Sequence, residues 1–500
     1  MRERRVRALA GTVTRLLLAE AGRFAETRGE PQERAEDRAK ALRSAFEGLG
    51  PFYIKLGQML STRPDFVSET TMRELATLHD RVPASPFTVF EPVLADELGP
   101  GWRQRFREID VEHPLGSASL AQVYRVVLAD GREGALKVQR PGIRPLIHAD
   151  MALLRRSAAV VARAKPRFNA VVDLHAMLNL IFEAMEGELD FTVEAANMAL
   201  ARRDVAGFAH LTVPEVLLGT RRVLVQELVP GRSIADPGRP EVSEEDRLAI
   251  AHDLLAFMYH SYFVGRTFHA DPHPGNVFVR PDGRAALIDW GMVGRLDRPM
   301  SLRLALMLAN VAQNDGEGAA RAWIEMGRAT PWSDVDGFST DVAALVPKAA
   351  VASLEELNFG LTLTTVLRHS TRRGIRTGPV VPLLGKSFAN LEGSVRELAP
   401  EISAAEVFRV ELTDTLVDLV CEMLSDGYLA RGALELMLTS DGSHRQARGI
   451  VRDLASRQLH LPADPTETPT GTMRSSRQQQ LVLGVAALAT AIWLRRSGKD

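Results

Sequence analysis

Residues 268–291 read FHADPHPGNVFVRPDGRAALIDWG, and this stretch decides the fold. Two short apolar runs, NVFV and RAALIDW, flank the turn sequence Arg-Pro-Asp-Gly, a pattern that predicts a β-hairpin. A hairpin returns the chain to its starting edge. Asn276 at one end and Asp289 at the other are therefore expected to be neighbours, with Asp271 five positions before Asn276.

The two histidines of the stretch first suggest a metal site. His269 and His273 stand at i and i+4, the spacing of zinc ligands on one helix face. Pro272 and Pro274 disfavour a helix at this place, so a zinc site is set aside. His269 is expected to brace the loop, and His273 to hydrogen-bond to backbone.

The carboxylates and the amide of the stretch match the needs of phosphoryl transfer. That chemistry uses a carboxylate that orients the attacking hydroxyl, an amide oxygen for magnesium and a second carboxylate for the metal that bridges the phosphates. Asp271, Asn276 and Asp289 occur in that order, and the first two have the D-x-x-x-x-N interval of kinase catalytic loops. Asp271 is thus the candidate catalytic residue, and Asn276 and Asp289 are the candidate Mg²⁺ ligands.

A kinase-type site also requires a lysine on an upstream strand, preceded by a small-residue turn that approaches the phosphates. The runs SLAQVYRVVL and GALKVQ predict two strands joined around Asp130-Gly131, with Lys137 on the second. The turn has one glycine where protein kinases place several, so a stiffer loop and a different nucleotide pose are expected. Its candidate ATP-binding residues are Leu115, Gly116, Ser117, Ala118, Ser119, Leu120, Ala121, Gln122 and Val123.

Two further parts of a nucleotide site are expected. The segment GELDFTVEAANM offers Glu188, Asp190 and Glu194 as carboxylate partners for Lys137, and the spacing alone does not choose among them. The residues QELV, 226–229, end a strand where a hinge would hold adenine through backbone hydrogen bonds. Glu227 and Val229 are therefore candidate nucleotide-binding residues.

The changing periodicity divides the chain into regions. Leu42 and Phe46, then Phe52 and Leu56 after the Gly50-Pro51 break, form helical stripes near the N-terminus. The predicted regions are a helical extension at 1–110, a strand-rich lobe with a helical insertion at 111–235, a helical lobe at 236–460, a Pro/Thr/Ser/Gln-rich flexible linker at 461–480 and an apolar helix at 481–496.

The composition bounds the class of protein. The chain of 500 residues has 61 basic and 63 acidic side chains in mixed order, so it has no basic footprint for nucleic acid. Cys421 is the single cysteine, which excludes a disulfide framework and a cysteine-based zinc site and fits a reducing compartment.

The C-terminal apolar run suggests a membrane anchor. Residues 481–494 contain no charge, but as a helix they cover about 21 Å, less than a hydrocarbon core of about 30 Å. Arginines flank the run on both sides, so charge gives no orientation. We expect a thin span with snorkelling arginines or a segment lying in the cytoplasmic leaflet. A helix that docks on the rest of the chain is the alternative.

The motifs in this order resemble the UbiB/ADCK family of atypical kinases, also called the AarF family. The likeness runs from about residue 40 to about residue 400, where LLGKSFANLEG at 383–393 also looks familial. The motifs are K-x-G-Q (Lys55, Gly57, Gln58), the Ala/Ser-rich loop at 115–123, the strand lysine (Lys137), E-x-D (Glu188, Asp190), H-x-D-P-H-P-G-N (269–276) and D-x-G (289–291).

The resemblance implies an α+β, bilobal protein-kinase-like fold with an N-terminal K-x-G-Q helical extension, followed here by a C-terminal apolar helix. It implies that Lys137 pairs with Glu194 and that ATP and Mg²⁺ are the cofactors. It also implies that the K-x-G-Q helix forms a regulatory lid, with Lys55 and Gln58 over the site and Lys55 against Glu188 and Asp190. Such a lid would obstruct a protein substrate.

The resemblance also implies a function at membranes. Family members are associated with quinone biosynthesis and lipid homeostasis, so we expect a membrane-associated atypical kinase or ATPase at the cytoplasmic face of the cell membrane. Its partners would be ATP, the membrane surface and a lipid or quinone-like small molecule, and the oligomeric state, a homodimer included, stays open. The alternatives are a cytosolic small-molecule phosphotransferase of the aminoglycoside or choline kinase type and a nucleotide-binding pseudokinase scaffold.

Overall fold

The computed structural model describes residues 32–411 except 62, 64–66, 79–81, 239–240, 352–358, 379, 404–406 and 409, together with Gly11 and Thr14. All elements named below belong to one compact unit, Met1–Glu411. The predicted linker at 461–480 and the predicted apolar helix at 481–496 lie outside the described residues.

The N-terminal extension is helical, as the apolar stripes predict. Gly50, at a φ of 103°, separates the first two helices, and Pro51 occupies the first turn of the second. The stripe residues Phe46 and Phe52 are buried. The helices of the extension are α1 (Gln32–Leu49), α2 (Pro51–Leu60) and α3 (Glu69–Ala76).

An antiparallel six-stranded sheet follows the extension, with the strand order β1-β3-β4-β7-β6 and β2 paired to β3. The predicted hairpin between β3 and β4 is present, and Gly131 in its turn has a φ of 92°. Helix α4 (Glu91–Leu98) covers the sheet through a core that includes Tyr124 and Leu136. The strands are β1 (Phe106–Ile109), β2 (Gly116–Ser117), β3 (Ala121–Leu128), β4 (Glu133–Gln139), β6 (Val216–Gly219) and β7 (Val223–Glu227).

A helical insertion separates β4 from the next strands. Its first three helices share a hydrophobic core with the N-terminal extension, in which Phe182 packs against Phe52 with ring centroids 6.3 Å apart. The last helix of the insertion contacts β6 and β7. The insertion consists of α5 (Ile143–Ala164), α6 (Pro166–Val172), α7 (Leu174–Glu188) and α8 (Phe191–Asp204).

Two small sheets form the centre of the helical lobe. One has the order β5-β11-β10-β8 and contains the predicted hairpin β10–β11, and the other pairs β9 with β12. Helix α9 (Glu244–Phe263) is capped by Ser243, whose Oγ accepts from the Asp246 N–H. The strands are β5 (Leu211–Thr212), β8 (Arg232–Ser233), β9 (Thr267–His269), β10 (Val277–Val279), β11 (Ala285–Leu287) and β12 (Val293–Arg295).

The remaining described elements are mainly helices. Two of the loops between these helices form a short antiparallel strand pair, β13 with β14, which the sequence pattern does not predict. The last described helix packs against α9, where Phe388 stacks on Tyr262 with ring centroids 4.3 Å apart. These elements are α10 (Arg298–Ala312), α11 (Gly316–Met326), β13 (Arg328–Ala329), α12 (Val335–Val351), α13 (Phe359–Arg372), β14 (Ile375–Arg376) and α14 (Val380–Leu398).

Within the part of the chain that the structure describes, no helix taken singly has both the length and the apolar composition to cross a bilayer. One bent pair, α6 and α7 at 48°, meets those two criteria jointly.

Candidate active site

Lys137 and Glu194 form an ion pair at the junction of sheet and insertion. Lys137 Nζ, on β4, donates to Glu194 Oε1 at 3.0 Å and to Oε2 at 2.9 Å, and lies 3.7 Å from Asp289 Oδ1. Burial alone would lower the pKa of Lys137, but the carboxylates of Glu194 and Asp289 outweigh burial and raise it. The lysine is therefore a fixed cation beside Asp289.

Asp271 is held at every polar group. Its N–H donates to His269 Nδ1 at 3.0 Å, and its carbonyl accepts from the Asn276 amide at 3.0 Å. Lys386 and Asn390 donate to its two carboxylate oxygens. Burial alone would raise the pKa of Asp271, but the charge of Lys386 and its hydrogen bond outweigh burial and lower it. The carboxylate is thus ionised and fixed in orientation.

The two histidines of the loop are engaged with protein atoms. His269 Nε2 lies 3.1 Å from the Ile288 carbonyl, so Nε2 is the donor and Nδ1 accepts from the Asp271 N–H. Burial lowers the pKa of His269, which keeps the imidazole neutral. His273 Nδ1 accepts from the Gly275 N–H at 2.9 Å. Both rings brace backbone, as the sequence predicts.

The hairpin β10–β11 brings the candidate metal ligands Asn276 and Asp289 together at its open end. The Ile288 N–H donates to the Asn276 carbonyl at 2.9 Å, so Asp289 follows directly after the residue that pairs with Asn276. Asp289 has a φ of 58°, in the left-handed region, and its side chain is 53% exposed. The charge of Lys137 lowers the pKa of Asp289, and the charge of Lys55 adds to the lowering.

This donor set fits Mg²⁺. An amide and an ionised carboxylate supply hard oxygen ligands, and Mg²⁺ takes its remaining ligands from phosphate and water. Among the described residues there is no group of three or more histidines, cysteines or acidic residues that could hold a metal by itself. Asn276 is buried and Asp289 is exposed, so the pair forms one edge of an open site.

The candidate nucleotide loop, residues 115–123, is held by hydrogen bonds to residues outside it. Arg140 Nε donates to the Ala118 carbonyl at 2.8 Å, and its Nη2 donates to Ser117 Oγ at 2.8 Å. The Gln122 amide donates to Tyr124 OH at 2.8 Å, and its oxygen accepts from the Ser85 N–H at 2.9 Å. These bonds give a physical reason for the stiff loop that the sequence predicts.

The other predicted residues of this loop divide by burial. Ser119, Leu120 and Ala121 are buried, and Leu120 packs in the core that the N-terminal extension shares with the insertion. Leu115 is 53% exposed. Gly116 pairs with Val123 across β2 and β3, and both are partly exposed. The loop therefore presents mainly backbone to the site.

The K-x-G-Q helix reaches the E-x-D segment through one of the two predicted contacts. Lys55 Nζ lies 3.2 Å from Glu188 Oε2. Asp190 does not join this pair, so its predicted contact with Lys55 is wrong. Asp190 instead caps α8 by accepting from the Thr192 N–H at 3.1 Å, and its other oxygen lies 3.3 Å from Arg221 Nε.

Gln58 and Gly57 have packing roles in the same motif. The Gln58 amide donates to the Leu78 carbonyl at 3.0 Å, which anchors α2 to the end of the extension. A Cβ at Gly57 would lie 2.3 Å from Leu78 Cδ1 and 2.7 Å from Phe46 Cδ2. Only glycine allows α2 to approach its neighbours this closely.

The predicted hinge lies at the end of β7. Glu227 pairs with Gly134 of β4, and its N–H donates to the Glu215 carbonyl at 2.8 Å. The chain then continues through Val229 to β8. Both residues therefore lie where the sheet is connected to the helical lobe.

Sequence reasoning missed Lys386 and Asn390 as site residues. They lie on α14, 115 and 119 positions after Asp271, within the segment LLGKSFANLEG. The available signal was a pair of polar residues at i and i+4 in the mostly apolar first half of the helix. Such a pair predicts a polar contact of that helix but not its partner.

A cavity of about 640 Å³ lies elsewhere, between α5, α7 and the start of α8. Within it, Glu186 lies 3.2 Å from Arg144 and 2.6 Å from His148. The cavity wall includes Asp190 but none of Lys137, Asp271 and Asp289. It is therefore separate from the cluster described above.

Comparisons with known proteins agree with the arrangement of these residues. A family model described as the ABC1 atypical kinase-like domain matches residues 77–323. An uncharacterised protein of Synechocystis sp. is 32% identical over 379 residues, which cover 73% of this chain and 91% of that protein. Proteins named probable protein kinase UbiB from Cellvibrio japonicus and Aeromonas hydrophila are 34% identical over 74% and 73% of this chain, and 68% of each relative is covered.

Two solved structures also match this chain. Rv3197 of Mycobacterium tuberculosis, solved with erythromycin, gives a TM-score of 0.47 at 22% identity and covers 74% of this chain and 97% of that chain. The Rio2 kinase of Chaetomium thermophilum gives 0.27 at 12% identity, with 63% and 95% covered. Both TM-scores are below 0.5. The assignment of a kinase-like fold therefore rests on the family model and on the two lobes described above. The predicted α+β kinase-like fold is confirmed.

Proposed function

We propose that this chain, which belongs to the UbiB-type family of ABC1 atypical kinase-like proteins, binds Mg-ATP and transfers or hydrolyses its γ-phosphate at a membrane. One observation carries the proposal. Lys137 makes two hydrogen bonds to Glu194 and lies 3.7 Å from Asp289, at the free edge of the hairpin that also holds Asn276. These are the parts of a kinase phosphate site.

Each residue has a role that its position supports. Lys137 would bind the phosphates of ATP, held by Glu194, and the tied backbone of residues 116–121 would approach them. Asn276 and Asp289 would hold Mg²⁺, which neutralises the charge that develops on the phosphate oxygens. Glu227 and Val229 would hold adenine through backbone groups.

Asp271 would orient the attacking oxygen of the acceptor hydroxyl or water. That oxygen forms a bond to the γ-phosphorus while the bond to the β,γ-bridging oxygen breaks and ADP leaves. The proton of the attacking group passes to the Asp271 carboxylate and then to solvent. The bonds to His269 and Asn276 hold the backbone of Asp271 for this purpose.

The extension favours a small or membrane-embedded acceptor over a protein. Lys55 pairs with Glu188, and its charge also acts on Asp289, so the K-x-G-Q helix lies close to the phosphate site. A helix in that position limits access by a folded protein substrate. We assign the acceptor to the class of lipids or quinone-like phenols, and the pathway to isoprenoid-quinone synthesis or lipid homeostasis.

Residues 481–496 would anchor the chain at the cytoplasmic face of the cell membrane. The proposal rests on the fourteen uncharged residues 481–494 and the arginines that flank them. Fractionation of cells that express the chain with and without residues 480–500 tests it. The full chain should sediment with membranes and the truncated chain should not, and soluble behaviour of both forms would refute the anchor.

The catalytic proposal is tested by phosphate release from Mg-ATP by the purified full chain, with and without vesicles of anionic phospholipid. Asp271→Asn should lower the rate about 100-fold or more, and Asp289→Asn should abolish Mg²⁺-dependent turnover. Asp282→Asn is the matched control, because Asp282 lies in the turn of the same hairpin and pairs with Arg280 and Arg284. It should leave the rate unchanged.

Other results would change the assignment. Turnover that survives Asp289→Asn would exclude the proposed magnesium site. Phosphorylation of soluble amino alcohols at the same rate with and without vesicles would favour a cytosolic small-molecule phosphotransferase. Nucleotide binding without turnover in the wild type would favour a scaffold.

A further inference from the structure

Helix α14 presents one polar face to the catalytic loop. Lys386, Ser387, Asn390 and Ser394 fall at i, i+1, i+4 and i+8, which places them along one side of the helix. All four donate hydrogen bonds to residues 269–272. Leu384, Phe388 and Leu391 of the same helix are apolar and buried. The helix therefore holds the loop through side-chain hydrogen bonds as well as through apolar packing.

The contacts to Asp271 are made to its reactive end. Lys386 Nζ lies 2.8 Å from Asp271 Oδ2, and Asn390 Nδ2 lies 2.5 Å from Asp271 Oδ1. One donor on each oxygen fixes both the rotamer and the plane of the carboxylate. Each oxygen keeps a second lone pair for the proton of an attacking group.

The catalytic loop does not supply these donors itself. Between Asp271 and Asn276 the sequence is Pro-His-Pro-Gly, which contains no lysine or amide side chain. The ring of His273 accepts from the Gly275 N–H within the loop. The fixed cation beside Asp271 therefore comes from another element of the fold.

Helix α14 is itself held firmly. Ser387 Oγ donates to the His269 carbonyl at 2.6 Å and lies 2.8 Å from Tyr262 OH, and both hydroxyl-bearing residues are buried. Ser394 Oγ donates to the Pro272 carbonyl at 2.7 Å. Lys386 is only 13% exposed. A loss of the lysine would therefore not be replaced by another side chain or fully by solvent.

We infer that Lys386 and Asn390 are positioning residues for phosphoryl transfer, which hold the Asp271 carboxylate in line with the attacking oxygen. The inference rests on the proposed function, because it assigns Asp271 the role of orienting that oxygen. It makes α14 part of the catalytic apparatus rather than a structural support of the lobe. It also predicts that α14 residues affect the chemical step and leave nucleotide binding intact.

The test measures kcat and KM for ATP by phosphate release with Mg²⁺ and anionic vesicles. Lys386→Met and Asn390→Leu keep the side-chain volume and remove the donors. Each should lower kcat about 100-fold while KM for ATP changes less than about threefold, since a misplaced group costs rate rather than ground-state binding. Lys386→Arg restores a cation and should recover at least about tenfold of the lost kcat.

Controls separate this role from a structural one. Lys165→Met, at the junction of α5 and α6, should match the wild type in both parameters. A kcat of Lys386→Met within about twofold of a wild type that turns over would overturn the inference alone. A loss of kcat with an equal loss of nucleotide affinity and thermal stability, unrelieved by Lys386→Arg, would also overturn it. A wild type without turnover would overturn the proposed function and the inference together.

Discussion

Lys55 Nζ, on the N-terminal extension, lies 3.2 Å from Glu188 Oε2 at the end of α7. Both side chains are largely buried, 20% and 15% exposed, so the pair is shielded from solvent. The charge of Lys55 also lowers the pKa of Asp289, and the charge of Glu188 raises the pKa of Lys137. The extension and the candidate phosphate site therefore belong to one electrostatic cluster.

The Lys55–Glu188 pair should show a measurable coupling. A double-mutant cycle with Lys55→Met and Glu188→Gln is expected to give a coupling free energy of about 1–2 kcal/mol, above that of an exposed pair, because solvent screens it less. The measurement is urea-induced unfolding of the wild type, both single variants and the double variant. The exposed pair Arg125–Glu133 serves as the control cycle. Equal coupling free energies in the two cycles would show that the Lys55–Glu188 pair is not shielded from solvent.

Gly57 should be intolerant of a side chain. Gly57→Ala places a Cβ 2.3 Å from Leu78 Cδ1, so α2 or the buried side chains of Leu78 and Phe46 must shift, and the free energy of unfolding should fall by about 1–3 kcal/mol. Amide exchange along α2 should become faster. Gly48→Ala is the matched control, because a Cβ at Gly48 meets no atom within 4 Å, and it should be neutral or slightly stabilising. Similar losses in both variants would argue against close packing as the cause.

Glu194 should be required for nucleotide turnover. Glu194→Gln removes the charge that holds Lys137 and should lower kcat/KM for ATP about 100-fold, since the lysine loses its fixed position. Glu183→Gln, an exposed change on α7, should have no effect. Steady-state phosphate release measures both. Turnover unchanged by Glu194→Gln would exclude the ion pair from the nucleotide site.

Glu392 should make stability depend on pH. Its side chain is buried on α14 and accepts from the Phe359 and Gly360 N–H groups at 2.7 and 3.2 Å, which caps α13. Burial raises the pKa of Glu392 from 4.5 to about 8, against the lowering by those two bonds and by Arg396. Between these values the native state binds the proton that the unfolded state has lost. The stabilisation is therefore complete below about pH 4.5 and is lost as the pH rises through about 8.

Thermal unfolding at a series of pH values checks this sign. The wild type should lose up to about 1.4 kcal/mol per pH unit from this group between about pH 5 and pH 8, and Glu392→Gln should remove that part of the slope. Glu397→Gln, an exposed change on the same helix, should keep it. A Glu392→Gln slope equal to that of the wild type would show that the carboxyl is ionised in the native protein.

Local pattern determined much of this protein. The β-hairpin with Asn276 and Asp289 at its two ends was readable because a turn sequence between two apolar runs has one low-energy outcome over short range. The strand with Lys137 and the helices around Gly50-Pro51 follow from period and turn chemistry in the same way. Asp190, which stands directly before the helix that begins at Phe191, also carried an unread signal for an N-cap.

Contacts between distant residues were decided by the tertiary structure alone. By spacing alone, three acidic residues within seven positions could serve Lys137 equally well. The family resemblance pointed to Glu194, and the direction in which α8 meets the sheet is the physical reason that Glu194 makes this contact. Lys386 and Asn390 could not be assigned to Asp271, because the packing of α14 against α9 brings them together across more than a hundred residues. By itself the sequence determined the groups on the catalytic loop, the hairpin and β4, but not the donors on α14. The packing of helices determined which groups face one another, since a polar residue on a helix specifies a need for a partner but not the partner.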